Sequence, residues 1–247
     1  MFKLLSADLR RLWINKAFWI TVILMACVEG VFYLLLSGQG PIQMDFILFI
    51  PLQGIGILTS VFFSLFLGTE YSDGTIRNKL IVGHKRSCIY VASFITGIIA
   101  VTIIYLAGVL AGSILGILLY APPNHSIGQI TLAGVIGWLA CVSYISIFNL
   151  VGMLLSSKAR TSIICILTAF ILMLAGLILY SLAGQDVLTG SAKVICQFLY
   201  EFNPFGQTVQ TMPIDIASPW KLAAYALFLS FALTVLGMNV FRKKDLK

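Results

Sequence analysis

The sequence predicts an all-α integral membrane protein with six transmembrane helices, cytoplasmic N- and C-termini, and a single transmembrane domain over residues 1–247. Three observations predict it. The chain is 60% apolar and 10% charged, whereas a soluble domain is about 45–50% apolar and about 25% charged. Its apolar residues gather in runs of roughly 20 or more, enough to cross a hydrocarbon core of about 30 Å. Fourteen of the 16 basic residues fall on one side of those runs: Lys3, Arg10, Arg11, Lys16, Arg77, Lys79, Lys85, Arg86, Lys158, Arg160, Arg242, Lys243, Lys244 and Lys247. Basic residues accumulate on the cytoplasmic side, which places both ends there and requires an even number of crossings. The net charge of +7 is therefore an orientation signal first and a contact with membrane lipid second. No nucleic-acid partner is expected.

Residues 2–16 space Phe2, Leu5, Leu9, Leu12 and Trp13 at helical intervals, with Lys3, Asp8, Arg10, Arg11 and Lys16 mostly on the other side. This predicts an amphipathic helix lying along the inner membrane surface. The spans follow at about residues 17–36, 46–67, 88–120, 129–155, 161–183 and 220–241. The first continues past Cys27 to Leu36, beyond the apolar core of about 7–15 residues in a signal peptide, and reads as a retained helix. Pro51, Gln53, Gly54 and Gly56 predict a kink near the outer half of the second. The third is longer than the bilayer requires and carries Gly108, Gly112 and Gly116 at every fourth position, a stripe that lets another helix approach closely. Gly184 to Pro219 forms the longest loop. Its segments 194–200 and 202–205 are too short to cross and too apolar for a solvated linker, and they read as short re-entrant outer helices.

Catalytic chemistry is not expected in this chain. It has no glycine-rich Lys-Ser/Thr loop for nucleotide phosphates, and no pair of carboxylates or Ser/Lys set lies at membrane depth. The five cysteines are scattered, which predicts neither a disulfide framework nor a metal site, and no cofactor is expected. Glu29 is the one ionisable residue well inside an apolar run. A charge there costs about 2.5–3.5 kcal/mol on the lenient insertion scale, so Glu29 is read either as part of a substrate path or gate, or as a side chain that snorkels to the outer surface or sits neutral and hydrogen-bonded between helices. Tyr33, Gln53 and Asn149 are weaker candidates for the same path, since uncharged polar groups also serve as contacts between helices.

Between the second and third spans lies Leu67 to Arg86, with six of the chain's charged residues. Ser72 or Asp73 can cap a short helix there, Ile76, Leu80 and Ile81 can form its apolar side, and Gly83 can end it. Arg77, Asn78 and Lys79 are expected to face another way. Glu70 and Asp73 lie near the helix start, where negative charge is favoured. So short a helix is unstable alone in water, so headgroups or a docked cytoplasmic protein must hold it.

Glu70-Tyr71-Ser72-Asp73-Gly74-Thr75-Ile76-Arg77-Asn78-Lys79-Leu80, followed by Gly83 and Arg86, resembles the glutamate-aromatic-Ser-x-Gly-Thr-apolar-Arg segment after the second span of ABC-2 type permeases. These are membrane subunits of bacterial ATP-binding-cassette exporters, and the likeness is to the bacitracin-resistance, lantibiotic-immunity and phenol-soluble-modulin branch. It extends to chain length, six spans, the N-terminal helix and Asn203-Pro204-Phe205-Gly206 before the last span. The resemblance implies a permease dimer, homomeric or with a related permease, in a bacterial plasma membrane. It implies a separate cytoplasmic ATPase that holds ATP and magnesium, with residues from about Glu70 to Gly83 as the coupling helix in its groove. Residues 2–16 then look like a connecting helix beside it, and 191–211 like re-entrant helices capping the exit. Export of amphipathic peptides or peptide antibiotics is the expected activity. The alternative is a non-transporting immunity or sensor protein that binds a peptide or lipid.

Overall fold

The computed structural model describes residues 1–36, 44–120, 122–184 and 190–244. Residues 185–189 of the long loop and 245–247 of the basic tail, Lys247 among them, lie outside the described residues. The described residues form helices and turns only. In order, these are α1 (Phe2–Ile14), α2 (Lys16–Leu36), α3 (Met44–Ile47), a 3-10 turn (Pro51–Gly54), α4 (Ile55–Ser72), α5 (Thr75–Ile81), α6 (Arg86–Leu119), α7 (Ile127–Leu154), α8 (Lys158–Gly184), α9 (Ser191–Phe202), α10 (Pro204–Gln210) and α11 (Pro219–Lys243).

Among the described residues, six helices are long and apolar enough to cross a membrane: α2, α4 with the preceding turn, α6, α7, α8 and α11. The chain is by this measure a multi-pass membrane protein. α4 and α7 form the centre of the bundle, while α2, α8 and α11 leave most of their surface on its outside. α6, with 34 residues, is about 51 Å long, so it tilts in a bilayer or projects from it.

The second crossing differs from its expected bounds at both ends. The chain turns through the 3-10 segment at Pro51, where proline lacks the amide that a longer helix would need, and α4 then runs on to Ser72 rather than ending at Leu67. The extension moves Glu70, Tyr71 and Ser72 onto the end of the spanning helix.

The glycine stripe of α6 faces α2 and α3. A Cβ on Gly108 would lie 3.0 Å from Met25 Cε, and one on Gly112 would lie 3.2 Å from Leu48 and 3.3 Å from Glu29 Oε2. Met44 crowds Gly116 in the same way. Absence of side chains at these positions sets the closeness of the helices.

At one end of the bundle, α3 is tied to the α6–α7 connection. Asp45 Oδ2 accepts from the amides of Asn124 (3.0 Å) and His125 (3.1 Å) and lies 2.6 Å from His125 Nδ1. Ser126 then opens α7 through a capping box with Gln129.

Candidate functional site

The other end of the bundle gathers α1, the end of α4, α5 and the C-terminal end of α11. The sequence accounts for α5 locally. Gly74, at φ 67°, makes the left-handed turn out of α4, a conformation that costs glycine little. Gly83, at φ 93°, closes the helix, with its amide on Leu80 O and that of His84 on Lys79 O, the paired bonds of a glycine C-terminus. Neither Ser72 nor Asp73 caps α5. Gly74 is the N-cap, no side chain bonds there, and Ser72 Oγ instead donates to Thr69 O.

The buried face of α5 also departs from expectation. Ile76 and Lys79 are buried and Leu80 is half-buried, whereas Ile81 is 75% exposed together with Val82. At 3.6 residues per turn, Lys79 and Leu80 lie within about 60° of Ile76, and Ile81 lies about 140° away. Thr75 is half-buried, and Arg77 and Asn78 are exposed with Ile81.

Lys79 turns inward because two carboxylates await it. Its Nζ is 2.6 Å from Asp8 Oδ1 and 3.1 Å from Glu70 Oε1. Arg11 pairs with the same Glu70 oxygen, donates through Nη2 to Phe66 O at 2.6 Å, and lies 4.4 Å above the Phe66 ring. Asp8, Glu70 and Lys79 are 2%, 1% and 8% exposed. Two acids and two bases from three helices thus form a neutral buried network. Such a network adds little net stability compared with an apolar core, but losing any one member leaves an uncompensated buried charge. Its arrangement locks α1 and α5 to the end of α4.

α1 consequently has two working faces. Leu4, Asp8 and Leu12 are buried against the bundle, while Phe2, Trp13 and Ile14 are exposed. The docked face lies about 100° around the helix from the Leu5, Leu9 and Trp13 stripe, in which Leu5 and Leu9 are half-buried, Leu9 against the core, and Trp13 is exposed. Asp8, expected on the solvated side, is instead the residue that docks the helix.

The next residue along α4 makes a second set of contacts. Tyr71 Oη donates to Met153 O at 2.5 Å and is 3.1 Å from Lys244 Nζ, which also donates to Met153 O at 3.0 Å. Burial pushes the Lys244 ammonium down to about 8. Arg86 donates to Arg242 O and Lys244 O, completing the attachment of the C-terminal segment. Glu70 and Tyr71 also line a recess of about 250 Å³ with Ser72, Arg77 and Ser156. Asp73 is exposed beside it.

The four residues proposed for a membrane path do not converge. Glu29 and Tyr33, both fully buried, face Gly112 of α6, and the Glu29 oxygens and Tyr33 Oη have no hydrogen-bond partner among the described residues. Glu29 therefore does not snorkel. Gln53 contacts Met212, and Asn149 accepts from Ser93 Oγ at 2.9 Å between α6 and α7.

Asp8, Arg11 and Lys244 were not legible as members of this site. The one available signal was Asp8, the single acid in a basic N-terminal segment. Among the described residues, no group of three or more His, Cys, Asp or Glu could hold a metal ion. Neither family models nor curated proteins yield a match to this chain.

Proposed function

We propose that the chain is the membrane-spanning subunit of an ABC-2 type exporter, driven by a separate cytoplasmic ATPase that holds ATP and magnesium. The observation that carries this reading is the Asp8–Lys79–Glu70–Arg11 network, which fixes a short helix to the end of one spanning helix, α4, and to the N-terminal helix α1. α5 turns Arg77, Asn78, Ile81 and Val82 outward. A basic rim around an apolar tip suits an acidic, apolar-floored groove on a protein better than a headgroup layer, into which the apolar face of α1 already fits. Force applied to α5 passes to α4 through the Gly74 turn and to α1 through Lys79, so a partner's ATP cycle can bias a two-state bundle.

In this reading both termini are cytoplasmic, the α9–α10 hairpin lies on the outer side of a bacterial plasma membrane, and two permease copies, identical or related, form the path. The cargo is an amphipathic peptide, in keeping with a bundle walled by Phe, Leu, Ile and Tyr. Arg77→Glu tests the reading, because Arg77 is exposed and lies outside the buried network. The variant is expected to insert and fold normally but to lose co-purification with the ATPase subunit and ATP-dependent peptide accumulation in sealed vesicles. Normal association and transport would remove Arg77 from the docking surface. Failure of the wild-type chain to co-purify with any nucleotide-binding subunit would overturn the reading.

A further inference from the structure

The bundle end opposite the ionic network contains a polar recess with different chemistry. α8 starts at Lys158, which packs on Gly68 near the end of α4. Tyr180 lies 22 residues further along that helix, about 33 Å away. There Tyr180, Ser181, Gln197, Tyr200, Glu201 and Gln210 line a cavity of about 620 Å³. On α9, Val194, Ile195, Phe198 and Leu199 are exposed, whereas Tyr200 and Glu201 near its end are 7% and 6% exposed. An ionisable side chain buried at a membrane-protein cavity, as Glu201 is, marks a candidate site.

Two groups in this recess point to a ligand. Tyr200 Oη is buried and has no hydrogen-bond partner among the described residues. Glu201 Oε1 accepts from Gln197 Nε2 at 2.9 Å, and Oε2 lies 2.5 Å from Lys221 Nζ. The two ends of that ion pair differ sharply in exposure, 8% for the Glu201 side chain and 46% for that of Lys221. Lys221 reaches the carboxylate from the first turn of α11, a tethered ammonium on a buried anion.

We infer that this recess binds a primary ammonium of an amphipathic peptide, a lysine side chain or N-terminus, which replaces Lys221 on Glu201. The inference rests on the exporter reading for its choice of peptide. Exchange of one ammonium for another never leaves the buried carboxylate unpaired, which is the step that makes other ligands costly. The Tyr180 and Tyr200 rings, 5.8 Å apart, supply π faces for the incoming cation, and Ser181, Gln197 and Gln210 supply neutral partners for the adjoining peptide amides. The outward apolar face of α9 lies alongside for the peptide's apolar residues.

The test uses the full chain in phosphatidylcholine nanodiscs, without ATP or ATPase, titrated with a fluorescent leucine–lysine amphipathic peptide and with the same peptide fully acetylated on its amines. Empty nanodiscs give the background. Acetylation is expected to weaken binding about tenfold or more. Glu201→Gln should weaken binding of the free-amine peptide. Lys221→Met removes the competing ammonium and should tighten it, a direction that misfolding cannot imitate. The double variant Glu201→Gln/Lys221→Met carries no uncompensated charge and should bind both peptides alike. Equal binding of both peptides to the wild type, or no tightening in a folded Lys221→Met, overturns the inference. Loss of peptide binding on adding phosphatidylethanolamine would reassign the recess to a lipid headgroup and also overturns it. Amine discrimination that persists when no ATPase partner exists would instead remove the exporter reading and leave the site standing.

Discussion

Glu70 and Tyr71 are neighbours in the chain, yet they hold opposite ends of it: Glu70 binds Arg11 of the N-terminal helix, and Tyr71 binds Lys244 just past the last span. Consecutive residues of a helix point about 100° apart, so one turn of α4 can present a carboxylate to one side and a phenol to the other. Both terminal segments therefore depend on the last turn of the second spanning helix.

Lys79→Met leaves Asp8 and Glu70 with only Arg11 for charge balance. Removing one partner of a buried pair costs about 3–5 kcal/mol, and the thermal midpoint in detergent should fall. A thiol-reactive dye reports it, since Cys141 and Cys165 are buried until the bundle opens. Asp8→Leu/Lys79→Met should recover part of the loss, and the double-mutant cycle measures the coupling.

Gly112→Val inserts carbons where a Cβ already stands 3.2 Å from Leu48 and 3.3 Å from Glu29 Oε2. Overpacking of this kind costs about 1–3 kcal/mol. The same dye assay should show a lowered midpoint, and cysteine cross-linking between α2 and α6 should slow. Gly74→Val, by contrast, should act through its left-handed turn, because a Cβ there meets open space.

Lys244 makes attachment of the C-terminal segment dependent on pH. Its ammonium is lowered by burial from 10.5 to about 8, so between those values the detached segment binds more protons than the docked one. Docking therefore strengthens as pH rises through that window and is weakest once pH has fallen through 8. Hydrogen exchange of the Arg242 to Lys244 amides, corrected for intrinsic rates, should show this gain in protection. Lys244→Leu should abolish the dependence.

Asp45 gives the opposite end an acid limit. Burial raises its pKa, but the hydrogen bonds from the His125 ring and from the His125 and Asn124 amides outweigh it and hold the carboxyl below its ordinary 3.8. Its contribution is complete above that ordinary value and is lost as pH falls through the lower, folded one. Asp45→Asn should loosen the α6–α7 connection at neutral pH, seen as faster proteolysis near Asn124, and should remove the acid step.

Length and apolarity made the spanning helices legible, because a run of 20 or more apolar residues has few other uses. The glycine stripe was legible for a similar reason, since side-chain absence every fourth residue has a direct geometric meaning. Partnership was harder to read. Lys79 looked like a solvated charge among Arg77 and Asn78, and only the fold shows that Asp8, 71 residues earlier, stands where it can neutralise that charge. Ile81 reads as part of the buried side by its apolarity, although its angular position, about 140° from Ile76, places it elsewhere. The extension of α4 past Leu67 is hidden in the sequence because Thr69, Glu70 and Ser72 are polar; in the fold Arg11 and Lys79 neutralise Glu70, and the Thr69 and Ser72 hydroxyls bond back to carbonyls of α4 itself.

The distance in sequence between Asp8 and Lys79 also bears on how the protein is made. Two crossings, α2 and α4, separate these residues, so they share a side of the membrane only when both helices have been inserted. The Asp8–Lys79 contact therefore requires the first two crossings to be in place together.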